Sequence, residues 1–328
     1  MAIEGDSTGE EVRVATIPEA CAGQRLDQAL ARTFPDFSRS VLSRWLKAGH
    51  VHLDGVQRPP RHKVAGGEAV ELHVQHQVES TWAGEAIRLD IVHEDEDLIV
   101  VNKPAGLVVH PAAGNPAGTL VNALVHHAPE LAELPRAGLV HRLDKDTTGL
   151  LVVARSRRAH TRLVADLQAR TIRREYEAVV WGVPTGGGTI DAAIGRHPRD
   201  RKKMAVIRGG RPAVTHFTVA ERFTAHSQLK VRLETGRTHQ IRVHMAHKRL
   251  PLVGDPVYGG RRAAPGRLSE NATRAVAEFR RQALHAARLG LTHPGSEEPM
   301  EWHAPLPDDM AHLLAALGGR TLPEPARP

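Results

Sequence analysis

The chain has a single cysteine in 328 residues, Cys21, which excludes an intramolecular disulfide and any metal site built from cysteines. Cys21 lies in a polar N-terminal segment, a poor setting for a catalytic thiol. Aromatic residues make up 3% of the sequence, and only two of them are tyrosines, Tyr176 and Tyr258, so few rings are free to stack on a planar ligand. No apolar run approaches the roughly 18 residues a membrane-spanning helix needs. The first residues show no basic start followed by an apolar stretch, so no secretory signal is expected. No glycine-rich loop is followed by Lys-Ser or Lys-Thr, which leaves no triphosphate-binding loop. The acidic run His93-Glu94-Asp95-Glu96-Asp97 has neither the spacing nor the glycine of a calcium loop. His239 and His244, five apart, fall on different faces of a helix or a strand, which disfavours a shared metal. The expectation is a soluble, cytoplasmic protein without a metal centre or membrane association.

What is present is ordinary for a folded protein: 41% apolar and 25% charged residues, in a length that allows one large domain and a small one. Lys and Arg number 44 against 37 Asp and Glu, a net charge of +7, and 21 His add reserve positive charge. A cationic excess favours a polyanionic partner, of which nucleic acid is the commonest.

Residues 1–22 hold five acids (Glu4, Asp6, Glu10, Glu11, Glu19) and one base (Arg13), and read as a mobile acidic leader. Residues 23–80 read as a compact unit. Leu26, Leu30 and Phe34 recur at helical spacing, as do Val41, Leu42 and Trp45 after Ser38, which is placed to cap. Val51 and Leu53 alternate, Asp54-Gly55 signals a tight turn, and Val70, Leu72 and Val74 alternate again. A polar linker is expected from Gln75 to Gly84. Residues 85–320 form a larger unit, with strand-like runs at Leu98–Val101, Leu107–Val109, Leu150–Val153, Glu175–Trp181, Ala213–Val219 and Leu229–Leu233. Helices are expected from near Thr119, over Arg158–Arg170 and over Pro307–Leu317. The strands cluster without a βαβ rhythm and no repeat is seen, so the fold class is α+β with a large, mainly antiparallel mixed sheet.

Four blocks carry the chemistry. Asp97-Leu98-Ile99-Val100-Val101-Asn102-Lys103-Pro104-Ala105-Gly106-Leu107-Val108-Val109-His110-Pro111 reads as strand, turn and strand, with Lys103 either a phosphate contact or a structural ion partner. His141-Arg142-Leu143-Asp144-Lys145-Asp146-Thr147-Thr148-Gly149-Leu150-Leu151-Val152-Val153-Ala154 sets Asp144 in a loop before a strand, where reactive groups are often held. Arg174-Glu175-Tyr176-Glu177-Ala178-Val179-Val180-Trp181-Gly182 puts Tyr176 on the face of Ala178 and Val180, which suits a core tyrosine as well as a functional one. Leu233-Glu234-Thr235-Gly236-Arg237-Thr238-His239-Gln240-Ile241-Arg242-Val243-His244-Met245-Ala246-His247 reads as strand, turn and a helix capped by Thr238, with Ile241 and Met245 inward.

Together these blocks resemble the RNA pseudouridine synthases of the ribosomal-large-subunit type. Gln24-Arg25-Leu26-Asp27, Ser38-Arg39-Ser40 and Gly49-His50-Val51-His52-Leu53-Asp54-Gly55 resemble an S4-type RNA-binding domain. The first resemblance implies Asp144 as the catalytic residue, Tyr176 beside the target base and Arg237 paired with the catalytic carboxylate. It further implies that Arg142 fills the gap left by an extruded base. The second implies that Arg39, Arg44 and Lys47 meet phosphates, and the basic loop of Arg199, Arg201 and Lys202 is assigned to the same task. Asp146 is expected to shape the loop.

The implied reaction breaks the C1′–N1 bond of uridine, turns the base and rejoins it through C5, so no metal or organic cofactor is expected. Asp144 has three roles open to it: attack on C1′, addition to uracil, or removal of the 2′ proton. The later segments Gly195–Val206, Pro212–Phe217, Pro251–Gly260, Arg281–Ala286 and Glu301–Pro307 resemble the family members that modify the helix 69 stem-loop of bacterial 23S rRNA. The implied partner is 23S rRNA in large-subunit particles, with no protein partner and a monomeric enzyme. The alternatives are the same chemistry on another rRNA site or a tRNA, and a non-catalytic ribosome-assembly factor.

Overall fold

The computed structural model describes residues 11–35, 37, 39–74, 82–112, 114–260 and 268–318. The chain divides into two units, Met1–Thr81 and Trp82–Pro328. Ser38, the expected helix cap, lies outside the described residues.

The first unit runs β1 (Glu11–Thr16), α1 (Leu26–Thr33), α2 (Arg39–Ala48), β2 (Val51–Leu53), β3 (Val56–Gln57) and β4 (Ala69–Val74). Its antiparallel sheet has the order β1-β4-β2-β3. Leu26 and Leu30 of α1 and Leu42 and Trp45 of α2 bury against Val51, Leu53, Val70 and Leu72 of the sheet. Asp54 and Gly55 both take positive φ, 48° and 73°, as a tight hairpin between β2 and β3 requires. One expectation is overturned. Residues 11–16, assigned to a mobile leader, form β1, which pairs with β4 from Glu11↔Val74 to Thr16↔Ala69. The strand was hidden because Val12 and Val14 face outward (42% and 74% exposed), so its side chains announce no core face. Backbone pairing holds it instead. Cys21 is fully buried in the same core.

The second unit contains β5 (Ile91–Glu94), β6 (Leu98–Lys103), α3 (Leu120–His127), β7 (Thr148–Ala154), α4 (Arg157–Ala169), β8 (Arg173–Trp181), β9 (Gly188–Asp191), β10 (Ile194–Arg196), β11 (Met204–Val206), β12 (Val214–Arg222), β13 (His226–Leu233), α5 (Gln240–His247), α6 (Glu270–Glu278), β14 (Leu284–Thr292), β15 (Pro299–His303) and α7 (Asp308–Leu317). Nine of these strands form one sheet in the order β5-β6-β7-β14-β8-β13-β12-β9, with β15 paired to β14, while β10 and β11 make a separate hairpin. Among the described strands only β7 and β14 pair in parallel. The α+β class and the large, mainly antiparallel sheet are as the sequence implied.

The period of two along a strand places the core. Ile99, Val101, Leu151 and Val153 pack on the α3 side, against Leu120 and Leu124. Their neighbours Leu98, Val100, Leu150 and Val152 pack on the other side, against Ala159 and Leu163 of α4. Every residue of β7 is buried, as befits a strand covered on both faces. Each large side chain so buried contributes roughly 1.5–3 kcal/mol. The run Leu107–Val109 is not a strand. The carbonyls of Val108 and Val109 accept from the amides of Leu120 and Val121, serving the open N-terminus of α3. Thr119 and Asn122 complete that end with a reciprocal capping box.

Candidate active site

The loop that enters β7 is braced from below by buried cations. Lys103, 1% exposed, donates from Nζ to the carbonyls of Pro104 (2.7 Å), Leu107 (3.1 Å) and Lys145 (2.8 Å). Burial lowers its pKa to about 8, against the pull of Asp146 and Asp144. The sequence left Lys103 as a phosphate contact or a structural partner, and its position under the loop makes it structural. Arg281 donates to the carbonyl of Asp146 at 3.2 Å while gripping Asp309 of α7 with two bonds of 2.6 and 2.7 Å. Gln282 donates to Thr147 Oγ1 at 3.1 Å, and Thr148 Oγ1 meets His285 Nδ1 at 2.9 Å.

Two further features of the loop have local causes. His141 Nε2 accepts from the amide of Val152 at 3.1 Å, satisfying the edge of β7 that β14 leaves uncovered beyond Gly149. Burial, with Arg174 adding to it, pushes His141 down to about 3, so its ring is neutral. Gly149 takes φ 108°, and a methyl group there would overlap the backbone of Ala286 on β14. The glycine of this block is therefore dictated by strand packing.

Above this support lies an open cleft of about 820 Å³, lined among others by Arg142, Asp144, Tyr176, Arg237, His239 and Arg242. The structure thus brings Arg142, Asp144, Tyr176 and Arg237 to one place. Two carboxylates line the cleft, Glu234 and Asp144, and the Asp144 side chain is 16% exposed. Tyr176 is 7% exposed and burial raises its pKa, so it remains a neutral phenol. Arg199, Arg201 and Lys202 sit apart, in the turn between β10 and β11, and none lines the cleft. Arg39, Arg44 and Lys47 lie on α2 of the first unit. Arg44 and Lys47 are exposed, whereas Arg39 shares with Arg25 the buried carboxylate of Asp27, at 2.9 and 3.0 Å.

The expected pairing of Arg237 with Asp144 is not formed. Arg237 Nε donates to the carbonyl of Pro212 at 3.1 Å. The partner of Asp144 is Arg242, one turn into α5, whose Nη1 donates to Asp144 Oδ2 at 2.9 Å. Arg242 is held in turn by Asp255, through Nε–Oδ2 at 2.8 Å and Nη2–Oδ1 at 2.9 Å. Asp255 is fully buried and also accepts from the amides of Val257 (2.8 Å) and Tyr258 (3.0 Å). Burial opposes the charge of Arg242, but its bonds to Asp255 and the charges of both carboxylates outweigh that and raise its pKa. Asp255 is lowered, since Arg242 and the two amides overcome the effect of its burial. A guanidinium locked by a bidentate buried carboxylate has one direction left for its remaining donor, and that direction is Asp144.

The start of α5 also differs from expectation. Thr238 does not cap it. The helix begins after His239, which takes φ 57° and makes no capping bond. Gln240 ties the turn down, accepting from the Arg237 amide (2.9 Å) and donating to the Val214 carbonyl (3.0 Å). This geometry aims His239 at the cleft, with Nε2 3.9 Å from Asp144 Oδ1 and Nδ1 2.8 Å from Tyr258 Oη. Tyr258 Oη accepts from the amide of Met204 at 2.9 Å, fastening the β10–β11 hairpin beside the cleft, and Arg242 lies over the Tyr258 ring at 5.1 Å.

Arg242, Asp255, His239 and Tyr258 were present in the sequence blocks but unassigned. A signal for the first two existed. Arg242 stands between Ile241 and Val243, and Asp255 sits within Leu252-Val253-Gly254-Asp255-Pro256-Val257; charges of opposite sign in apolar settings each demand a partner. Among the described residues no group of three or more His, Cys, Asp or Glu is placed to hold a metal ion. No helix among them is long and apolar enough to cross a membrane.

The cleft holds the carboxylate of Asp144 balanced by Arg242, that of Glu234 paired with Arg170 and His216 at its wall, a buried phenol and surrounding cations, a set suited to acting on a polyanion. Comparison with known proteins agrees. The model of the family "RNA pseudouridylate synthase" matches residues 97–247, and that of the S4 domain matches residues 24–70. The chain is 54% identical over 305 residues to ribosomal large subunit pseudouridine synthase D of Pseudomonas aeruginosa, covering 93% of this chain and 95% of that one. It is 56% identical over 304 residues to the protein of the same name from Escherichia coli, covering 92% and 93%. Among solved structures, human RNA pseudouridylate synthase domain containing 1 superposes with a TM-score of 0.55 at 27% identity, over 74% of this chain and 93% of that one. Human RNA pseudouridylate synthase domain containing 4 gives 0.53 at 28% identity, over 70% and 92%. With Asp144 poised in the cleft and similarity running nearly end to end, the chain belongs to the RNA pseudouridylate synthase family and carries an S4 domain ahead of its catalytic unit.

Proposed function

We propose that this isomerase converts uridines to pseudouridine in the helix 69 stem-loop of 23S rRNA, presented in large-subunit particles, with Asp144 as the essential carboxylate. It works in the cytoplasm as a monomer and needs no protein partner. The observation that carries the reading is the Asp144–Arg242–Asp255 ladder at the cleft, in a chain more than half identical to large-subunit enzymes.

The chemistry follows from what the cleft offers. The base must leave its stack to reach Asp144, at a cost of a few kcal/mol. Tyr176 packs against the extruded ring, and exposed Arg142, two residues before Asp144, fills the space the base vacates. Hydrolysis of a glycoside commonly takes two carboxylates because a water must be activated too. Here the detached uracil is itself the acceptor, so one carboxylate suffices. Arg242 engages Oδ2 of Asp144, which leaves Oδ1 to act on the nucleotide. Attack at C1′, addition to uracil and removal of the 2′ proton are all compatible with that one free oxygen. Arg44, Lys47 and the Arg199–Lys202 turn meet phosphates, which position the RNA without reading its sequence. Arg39 does the same from its pairing with Asp27.

The test is carbodiimide mapping of pseudouridine in unmodified large subunits treated with wild type or Asp144→Asn. New signals in helix 69 from wild type alone are expected. Signals at other positions would discard the target and keep the chemistry. Equal signals from Asp144→Asn would remove that residue from its role.

A further inference from the structure

Arg174 is a buried cation of the cleft that no described residue neutralises. It lies on β8, two residues before Tyr176 and on the same face, about 7 Å along the strand. It is 7% exposed and lines the cleft. Among the described residues its side chain makes no hydrogen bond and no ion pair, and its buried Nε has no partner. Among the described residues the other guanidiniums buried to this degree are satisfied: Arg242 by Asp255 and Asp144, and Arg281 by Asp309 and loop carbonyls. The fold also makes room for this group. A methyl group on Gly236, in the turn before α5, would come within 2.8 Å of Arg174 Nη1. The charge reaches the neighbouring rings, acting against protonation of His141 and favouring ionisation of Tyr176.

A guanidinium withdrawn from water without a counter-charge is costly, and removing such a group for stability alone would be easy. Its place in the cleft, beside Tyr176, points to an anion supplied by the substrate. Uracil carbonyls are neutral, while each RNA linkage carries one full negative charge and the oxygens that suit an arginine fork. We propose that Arg174 is an anion subsite that grips a backbone phosphate flanking the target uridine, fixing the extruded nucleotide with its base against Tyr176. This rests on the cleft being where RNA is modified.

The experiment uses stem-loop RNAs that wild type is first seen to modify, each carrying an uncharged methylphosphonate at the linkage 5′ or 3′ of the target uridine. Turnover by wild type, Arg174→Met and Arg174→Lys is compared on native and substituted RNA. On native RNA, Arg174→Met is expected to lose roughly 10- to 100-fold in kcat/KM, the range of one charge-assisted pair, with Arg174→Lys between. Neutralising the gripped linkage should cost wild type a similar factor and cost Arg174→Met almost nothing more. Multiplicative losses at both linkages would overturn the proposal. Thermal unfolding of the free enzyme supplies a second readout that needs no RNA. Arg174→Met should melt at or above wild type, because an unpaired buried charge is gone; a clearly lower Tm would make Arg174 a structural residue and refute the subsite. If wild type modifies no RNA at all, it is the reading of the cleft that fails, whatever the variants do.

Discussion

Replacing Arg242 with Met keeps an unbranched apolar stem and removes the cation that Asp144 and Asp255 share. The structure sets the size of the effect. Three charge-assisted bonds are lost, at roughly 1.5–3 kcal/mol apiece as a ceiling. Asp255 is fully buried, so water offers it no rescue, although its bonds from the Val257 and Tyr258 amides remain. The Asp144 side chain is 16% exposed and recovers part of its solvation. The net expectation is a loss of about 3–5 kcal/mol, the cost of breaking a buried pair by removing one member.

The pH dependence carries a sign. In wild type the pKa of Asp255 is lowered, so its contribution is present above the ordinary carboxylate value and is lost as pH falls through the lowered one. Without Arg242 burial is opposed only by the two amides, the pKa of Asp255 rises, and the penalty on its ionised form eases as pH falls. The stability gap between wild type and variant should therefore narrow between pH 7 and pH 5. Urea unfolding followed by tryptophan fluorescence measures it, since Trp82, Trp181 and Trp302 all lie in the catalytic unit. Turnover should fall by about 100-fold or more, because Asp144 loses its fixed orientation. Arg237→Gln is the contrast: its guanidinium meets one carbonyl, and its stability cost should stay below about 1 kcal/mol. A gap for Arg242→Met under about 1 kcal/mol, or one that does not move with pH, would refute the ladder as the support of Asp144.

Other positions give sharp expectations. His226 is fully buried, neither ring nitrogen has a partner among the described residues, and it rests on Trp181 at 4.3 Å. His226→Phe should gain about 1 kcal/mol in urea unfolding. Burial lowers His226 to about 4, so its contribution is present above pH 6.5 and fades as pH falls toward 4; the Phe variant should lose less stability across that window. Gly149→Ala should cost about 3 kcal/mol or more, from a positive φ and overlap with the Ala286 backbone, with expression of folded protein as the first readout. Tyr258→Phe removes the acceptor that fastens Met204 and the partner of His239. Its expected signature is a loss of about 1 kcal/mol in stability and a weaker salt dependence of RNA binding, read by titration at several salt concentrations.

Much of the molecule was legible in the order of its residues. The continuous apolar run of β6, the period-two alternation in β8 and β13 and the helical spacing of α1, α3, α4 and α7 are local properties, and so is the Asp54-Gly55 turn. The signature around Asp144 is contiguous in sequence, so the carboxylate could be singled out before any contact was known. Strand β1 escaped because backbone pairing, not side-chain pattern, holds it in place. Leu107–Val109 misled because an apolar run does not say whether its carbonyls will serve a sheet or a helix end. The ion partner of Asp144 was misplaced for a deeper reason. Arg237 and Arg242 lie in one block five residues apart, and only the left-handed turn at His239 decides which of them faces the loop. The charge balance of the site joins residues 98 and 13 positions apart, and the support of its loop joins residues 42 and 135 apart. Sequence by itself determined the fold class, the division into two units and the singling out of Asp144, because those depend on local pattern and contiguous motif. Tertiary structure alone decided which buried cations are neutralised, Arg242 and Arg281, and that Arg174 is not, because neutralising a buried charge depends on neighbours that the chain brings together only by folding.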